Sequence, residues 1–462
     1  MKGLLPLATL PAMASAAAQN ILYSPSSYTF NPLKHMSGIA PYFSAQDPGL
    51  TPRPPQGCNV TAAAYLVRHA AIYANDFDYE SYVEPFVDKL ENTTDIDWAA
   101  TAGTAAPLDF LRSWKSPVED ADLEQLTKIG ALESMSLGVE LARRYPSFGS
   151  PKKVWSSTAE RTVKSAQSFI NGHDRYSNQT ELVQVSEGEE EGADSLTPYK
   201  GCSAYSSSRG SEQSAAWKER YTKPILARLQ AAAPGFNWTS DDVYGMQQLC
   251  GYESVIRGES PFCNLDLFTP NEWLDFEYAN DLMYFHNTGY GNQISPVIGF
   301  PWVNATASSL MSVGDGDDDA QKLFVSFTHR ELPPTVLVAL GLFNNTEFAG
   351  NNDQNATMPT DRANHRRAWR SSHMLTFLTN IAIEKMSCSS FGFENDSAEY
   401  YRVLVNDSPQ PLQGCDDGPG ESCARETFES WVAGRGQLYG RFSDECGVEY
   451  DNSTDVLSIY SS

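Results

Sequence analysis

Short runs that break off into functional side chains constrain this chain most. Ala62-Ala63-Ala64-Tyr65-Leu66-Val67 stops at Arg68-His69, and Leu323–Phe327 stops at Thr328-His329. Lys152–Ser157 has the same strand pattern and leads through Thr158 to Arg161. Unbroken apolar runs this short fit strands covered on both faces. Helical patterns lie between them. Leu126–Tyr145 repeats apolar residues at helical spacing (Leu132, Met135, Leu137, Leu141) and stops at Pro146. Thr158–Gly172 places Val163, Ala166, Phe169 and Ile170 on one face. Pro333 and Pro334 fit the first turn of a helix running through Thr335–Leu340, with Gly341 near its end. Alternating strands and helices predict an α/β fold, a three-layer sandwich with a mainly parallel central sheet. The stretch 201–312 carries helical patterns (Ala215–Ala232, Pro270–Tyr284) and few strand signals. It reads as a mostly helical insertion splitting the α/β domain into 57–200 and 313–462.

The N-terminus predicts the compartment. Lys2, the apolar stretch Leu4–Met13 and Ala14-Ser15-Ala16 form a signal-peptide pattern over residues 1–16. The stretch is well short of the ~20 residues a membrane span needs. Residues 17–56, rich in Pro, Ser and Tyr, read as an extended arm wrapping the domain. The eight cysteines (Cys58, Cys202, Cys250, Cys263, Cys388, Cys415, Cys423, Cys446) show no zinc spacing and suit disulfides. Spacing leaves the pairing open, though short loops favour Cys250–Cys263 and Cys415–Cys423. Sequons begin at Asn59, Asn92, Asn178, Asn237, Asn304, Asn344, Asn355, Asn395, Asn406 and Asn452. Together these features predict a secreted, extracellular, monomeric glycoprotein with N-glycans at several of those sites.

Charge narrows the partners. Acidic residues outnumber Lys and Arg 58 to 33, a net charge of −25. That excludes general binding to nucleic acid or to an anionic membrane. Any phosphate site must be a local cluster of arginines. The acidic runs Glu187–Asp194 and Gly314–Asp319 lack EF-hand spacing and read as solvated loops. No metal or cofactor is expected.

In open parallel sheets, ligands bind beyond the carboxyl ends of the strands. If the three strands are neighbours, two histidines and the arginines meet in one crevice. Such a set suits phosphoryl transfer: an imidazole attacks phosphorus, arginines hold the nonbridging oxygens, and a carboxylic acid protonates the leaving group.

The motifs add a resemblance. Ala64-Tyr65-Leu66-Val67-Arg68-His69, the Ser157–Arg161 segment with Ser165, Ala166 and Phe169, and Phe327-Thr328-His329 with Ala339–Leu342 resemble the secreted fungal histidine acid phosphatases, the group that includes the phytases. The likeness runs from about Ser44 to Cys446 and takes in Asp242–Tyr244, Ser260–Cys263 and Gly289–Asn292 of the insertion. It implies a phosphoglycerate-mutase-like fold and the pairs Cys58–Cys388, Cys202–Cys446, Cys250–Cys263 and Cys415–Cys423. It also implies hydrolysis of small phosphate monoesters, with His69 as the nucleophile and Arg68, Arg161 and His329 on the phosphoryl oxygens.

The departures matter as much. Against the family's R-H-G-x-R-x-P, Ala70 stands for the glycine, Ile72 for the second arginine and Ala74 for the proline. Arg330 replaces the aspartate of H-D, while Glu331 gives a His-x-Glu arrangement like that of multiple inositol polyphosphate phosphatases. Glu331 is therefore the expected acid, and Arg330 a substitute for the missing cation. Tyr284, where phytases carry lysine, predicts an aromatic pocket wall. The alternative is an altered or inactive homologue that takes a non-phosphate ligand.

Overall fold

The computed structural model describes residues 30–44, 51–174, 179–314, 320–345, 358–389, 397–448, 450 and 453–461. The expected signal peptide lies outside these residues, as do Asn178, Asn355, Asn395, Asn452 and residues 315–319 of the second acidic run.

Among the described residues the strands are β1 (Cys58–Arg68), β2 (Lys153–Ser157), β3 (Glu181–Val185), β4 (Leu323–Thr328), β5 (Asn380–Ser389), β6 (Ser397–Val405), β7 (Ser408–Gln410) and β8 (Cys423–Ala424). They form a sheet in the order β3-β2-β4-β1-β5-β6-β7, with β8 on β6. The block β3-β2-β4-β1 is parallel; β5, β6 and β7 extend it antiparallel. β6 turns into β7 through Asn406-Asp407, both at positive φ (47° and 69°), as a two-residue hairpin requires.

β1 shows why the sheet is sandwiched. Its alternate residues Ala62, Ala64 and Leu66 pack with the helices Ser295–Ser312 and Leu332–Leu340. Ala63, Tyr65 and Val67 pack with Lys128–Arg144 and Glu160–His173 on the other face. Period-two alternation thus buries both faces, giving three layers. Residues 201–312 hold the helices Ser211–Ala232, Ser240–Arg257, Pro270–Asn287 and Ser295–Ser312. Two of these start at capping boxes, Thr239 with Asp242 and Thr269 with Glu272.

Two sequence expectations are corrected. Leu132 and Met135 do not face the core: they are 62% and 38% exposed. The Lys128–Arg144 helix instead buries Gly130, Ser134, Leu137, Gly138 and Leu141. A Cβ on Gly138 would lie 2.2 Å from Phe169 O, and one on Gly172 2.0 Å from Met135 O. The two helices meet backbone to backbone along a glycine edge, which keeps Leu137 and Leu141 inside and leaves Leu132 and Met135 outside. The arm is also more than a wrapping: its short helical turns Pro32–His35 and Ser37–Ile39 bury Ser37, and Met36 and Ala40 are fully covered.

The disulfides are Cys58–Cys388, Cys202–Cys446, Cys250–Cys263 and Cys415–Cys423, the four pairs implied by the resemblance. Among the described residues no helix is long and apolar enough to cross a membrane. Of the sequon asparagines described, Asn59, Asn92 and Asn237 are exposed, whereas Asn406 is buried. The Asn406 side-chain amide is taken up by internal hydrogen bonds, unlike that of an exposed sequon asparagine.

Candidate active site

Parallel pairing aligns the strand ends. Arg68 is in register with Thr328 across β1 and β4, and Ser156 with Phe327 across β2 and β4. The His69 N–H donates to Thr328 O at 2.8 Å, carrying the pairing one residue past β1. The His69 and His329 rings therefore stand 5.8 Å apart, edge to face. A cavity of about 270 Å³ opens here, lined by Arg68, His69, Arg161, His329, Arg330 and Glu331 together with Ile72 and Glu124. All six residues singled out from the sequence line this one space.

His69 is held as a neutral ring. Its Nδ1 lies 2.9 Å from Ala70 O. A carbonyl only accepts, so Nδ1 carries a proton, and in the neutral ring the lone pair is then on Nε2. Burial pushes the imidazole well below its ordinary pKa, and the charges of Arg68 and Arg161 push it further. The backbone beyond it is fixed from two sides. Ala70 N–H donates to Ser165 Oγ at 2.9 Å. Ala71 lies so close to Gly130 that a Cβ there would stand 2.4 Å from Ala71 O.

Arg68 is buried in a cradle that sequence reasoning missed. Its Nη1 donates to Gly38 O at 2.5 Å and to Leu375 O, and the Phe377 ring lies 4.6 Å from the guanidinium carbon. Burial lowers its pKa to about 10, so it stays charged in acid. No sequence pattern marks these partners, because two of the three are backbone carbonyls.

The remaining side chains come in pairs. Arg161 meets Glu124 at 2.6 Å, not its helix neighbour Glu160, which binds Lys164. Arg330 Nε meets Glu331 at 3.0 Å. Burial pushes the Glu331 carboxyl up, but Arg330 and His329 outweigh it and hold the group below its ordinary range. His329 Nε2 lies 3.2 Å from Glu187 Oε1 and 3.3 Å from Ser157 Oγ. Glu187 corrects the reading of its acidic run as solvated loop: its side chain is 11% exposed and also accepts from Ala159 N–H and Lys200. Burial raises the Glu187 carboxyl, yet those partners drive it far down. Three buried nitrogens, Arg68 Nε, Arg161 Nε and His329 Nδ1, have no hydrogen-bond partner among the described residues. All three belong to residues that line the cavity, and buried polar groups left unsatisfied in this way call for a functional or structural reason.

The expected aromatic wall is displaced. The His69 cavity is mainly polar; Tyr284 lies instead in an adjoining space of about 90 Å³ with Tyr82, Tyr205 and Tyr244. Arg330 and Glu331 line both.

A family model for the histidine phosphatase superfamily (branch 2) matches residues 59–406. The chain belongs to that family. It is 28% identical over 433 residues to an acid phosphatase of Komagataella pastoris, covering 91% of this chain and 87% of that one. A thiamine-repressible acid phosphatase of Schizosaccharomyces pombe is 29% identical over 419 residues, 87% of each chain. Among solved structures, the phytase from D. castellii superposes with a TM-score of 0.80 at 25% identity, covering 96% of this chain and 94% of that chain. Family membership accounts for the fold and for the motifs at the three strand ends.

Proposed function

We propose that this protein is a secreted acid phosphomonoesterase working through a phosphohistidine on His69. The observation that carries the reading is the position of His69: its Nδ1 lies against the Ala70 carbonyl and its ring lines a buried cavity walled by three arginines, surroundings that favour the neutral imidazole. Arg68, Arg161, Arg330 and His329 bind the phosphoryl oxygens. The Nε2 lone pair forms a bond to phosphorus as the ester P–O bond breaks. Protonated Glu331 gives its proton to the departing oxygen and is left as carboxylate. Water then attacks the phosphohistidine, the N–P bond breaks, Glu331 takes a proton from the water, and phosphate leaves.

Glu331 pairs with Arg330 at 3.0 Å, which favours its carboxylate form. An arriving phosphate competes for that arginine and frees Glu331 to take up a proton. Glu331 sits below its ordinary range, so its protonated form belongs to acid, and His69, well below its own, keeps its neutral form further into acid than a free imidazole does. Activity falls toward neutral pH as Glu331 loses its proton.

The substrate carries one phosphate and a leaving group without many charges. The space beyond Arg330 presents tyrosines and Asp78, and Glu124 and Asp76 line the phosphate cavity itself. A polyphosphorylated ring would meet those carboxylates. Four disulfides and exposed sequons support secretion. Phosphate release from an aryl monoester and from phytate, beside a His69→Ala control, tests the reading: release favouring the aryl ester and lost in the control is expected. Release that survives in His69→Ala refutes it.

A further inference from the structure

The segment Leu375–Asn380 transfers no proton or phosphoryl group, yet it touches both Arg68 and His69. Leu375 O and the Phe377 ring hold the Arg68 guanidinium. Thr379 O accepts from the Arg68 backbone N–H at 2.9 Å, and the Leu378 N–H donates to His69 O at 3.2 Å. At its centre Leu378 adopts φ +57°, a left-handed conformation that leucine rarely takes. Its side chain is 1% exposed and packed in the core beside Tyr65 and Val67, so glycine could not replace it without leaving a hole. Strain of this kind persists only where the surroundings over-determine it.

Asn406 supplies that determination. Its Oδ1 accepts from Asn380 N–H at 2.9 Å, and its Nδ2 donates to His373 O at 2.8 Å and to Thr379 Oγ1 at 3.0 Å. Its own N–H donates to Asn380 O at 3.0 Å. The residue itself stands at φ +47°. The position requires a left-handed backbone, one acceptor and two donors together. Aspartate keeps the backbone and the acceptor but has no donor; glycine keeps only the backbone.

We propose that Asn406 is a positioning residue for phosphoryl transfer: its amide locks residues 373–380 in the strained form that aims Arg68 and His69. The sequon Asn406-Asp407-Ser408 is consequently closed to glycan in the folded enzyme. The proposal rests on reading Arg68 and His69 as the reacting groups.

The test uses Asn406→Asp and Asn406→Gly in the full chain, with Val432→Ala as a control that thins core packing on the distant helix Arg425–Tyr439. Rates with an aryl phosphate are taken well below each variant's Tm. Misplacing reacting groups by about an ångström costs on the order of 10²-fold, so kcat is expected to fall roughly 10- to 100-fold while KM rises about threefold or more. A partly unfolded population would lower kcat and leave KM alone. Hydrogen exchange at the Leu378 amide is expected to accelerate in both Asn406 variants and not in Val432→Ala, which keeps its kcat and KM. Peptide mapping after deglycosylation is expected to find Asn406 unmodified. Parental kcat and KM in both Asn406 variants would overturn the positioning role, and a glycan on Asn406 would overturn the lock. Parental activity in His69→Ala would instead defeat the underlying reading, while the exchange and glycan readouts still judge the lock.

Discussion

Arg330→Ala is the most informative single change, because it acts on binding and on acidity in separable ways. The family's second motif arginine is absent, and Ile72 in its place is 2% exposed and apolar. With Arg330 also gone, two arginines remain on the cavity. Losing one preorganised donor costs ~3–4 kcal/mol, so kcat is expected to fall roughly 10²–10³-fold. The same change releases Glu331 from its partner at 3.0 Å, a pair with side chains 26% and 21% exposed. A partly exposed ion pair is worth at most ~1 kcal/mol, or under about one pKa unit. The sign is fixed. Arg330 holds Glu331 below its ordinary value, so removal raises it and the protonated acid survives to higher pH. The residual activity should therefore decline at a higher pH than the parent's, by up to about one unit. Arg330→Lys keeps the charge without the planar fork and should fall between the two. Ile72→Arg added to Arg330→Ala should recover part of the rate. The assay is kcat and kcat/KM on an aryl phosphate across acidic to neutral pH. A kcat within about threefold of the parent's would refute the assignment of Arg330 as a phosphate ligand, since no preorganised donor is that dispensable.

Two further substitutions probe the same machinery. Glu331→Gln keeps the shape and removes the proton, so kcat on an alkyl phosphate should drop about 10²–10⁴-fold. An ester with a strongly acidic leaving group needs no proton and should lose much less; equal losses would count against the acid role. Gly130→Ala should gain helix propensity but force the Ala71 backbone away, because its new Cβ would lie 2.4 Å from Ala71 O. A stability loss of ~1–3 kcal/mol with a reduced kcat is expected, measured by denaturant unfolding and steady-state rates; a stabilised, fully active variant would contradict the packing described for the His69 loop.

The parts legible in the sequence were those written as local pattern. The ends of β1, β2 and β4 carry the motif residues, so these ends and the family resemblance together single out Arg68, His69, Arg161, His329, Arg330 and Glu331, which line one cavity. Helix polarity was less legible. Hydrophobic spacing nominated Leu132 and Met135, but the tight crossing at Gly138 and Gly172 decided which edge turned inward. The antiparallel extension β5–β7 left no expectation, since its pairing with β1 spans more than three hundred residues of chain. Contacts made by backbone were invisible for the same reason: Gly38 O and Leu375 O hold Arg68 without any side-chain signature. Glu187 looked like one member of an acidic run, and only the fold brings it to His329. Asn406 satisfies a sequon pattern while its amide is spent inside the protein.

The central claim is that His69 Nε2 takes the phosphoryl group. The direct measurement is to quench a reaction with a phosphorus-labelled aryl phosphate into alkali, where phosphohistidine survives, and to map the label by mass spectrometry. The account predicts label on the peptide containing His69 at early times, its decay as phosphate is released, and neither label nor turnover in His69→Ala. Turnover by the parent enzyme with no label on His69, or turnover that persists in His69→Ala, would contradict it.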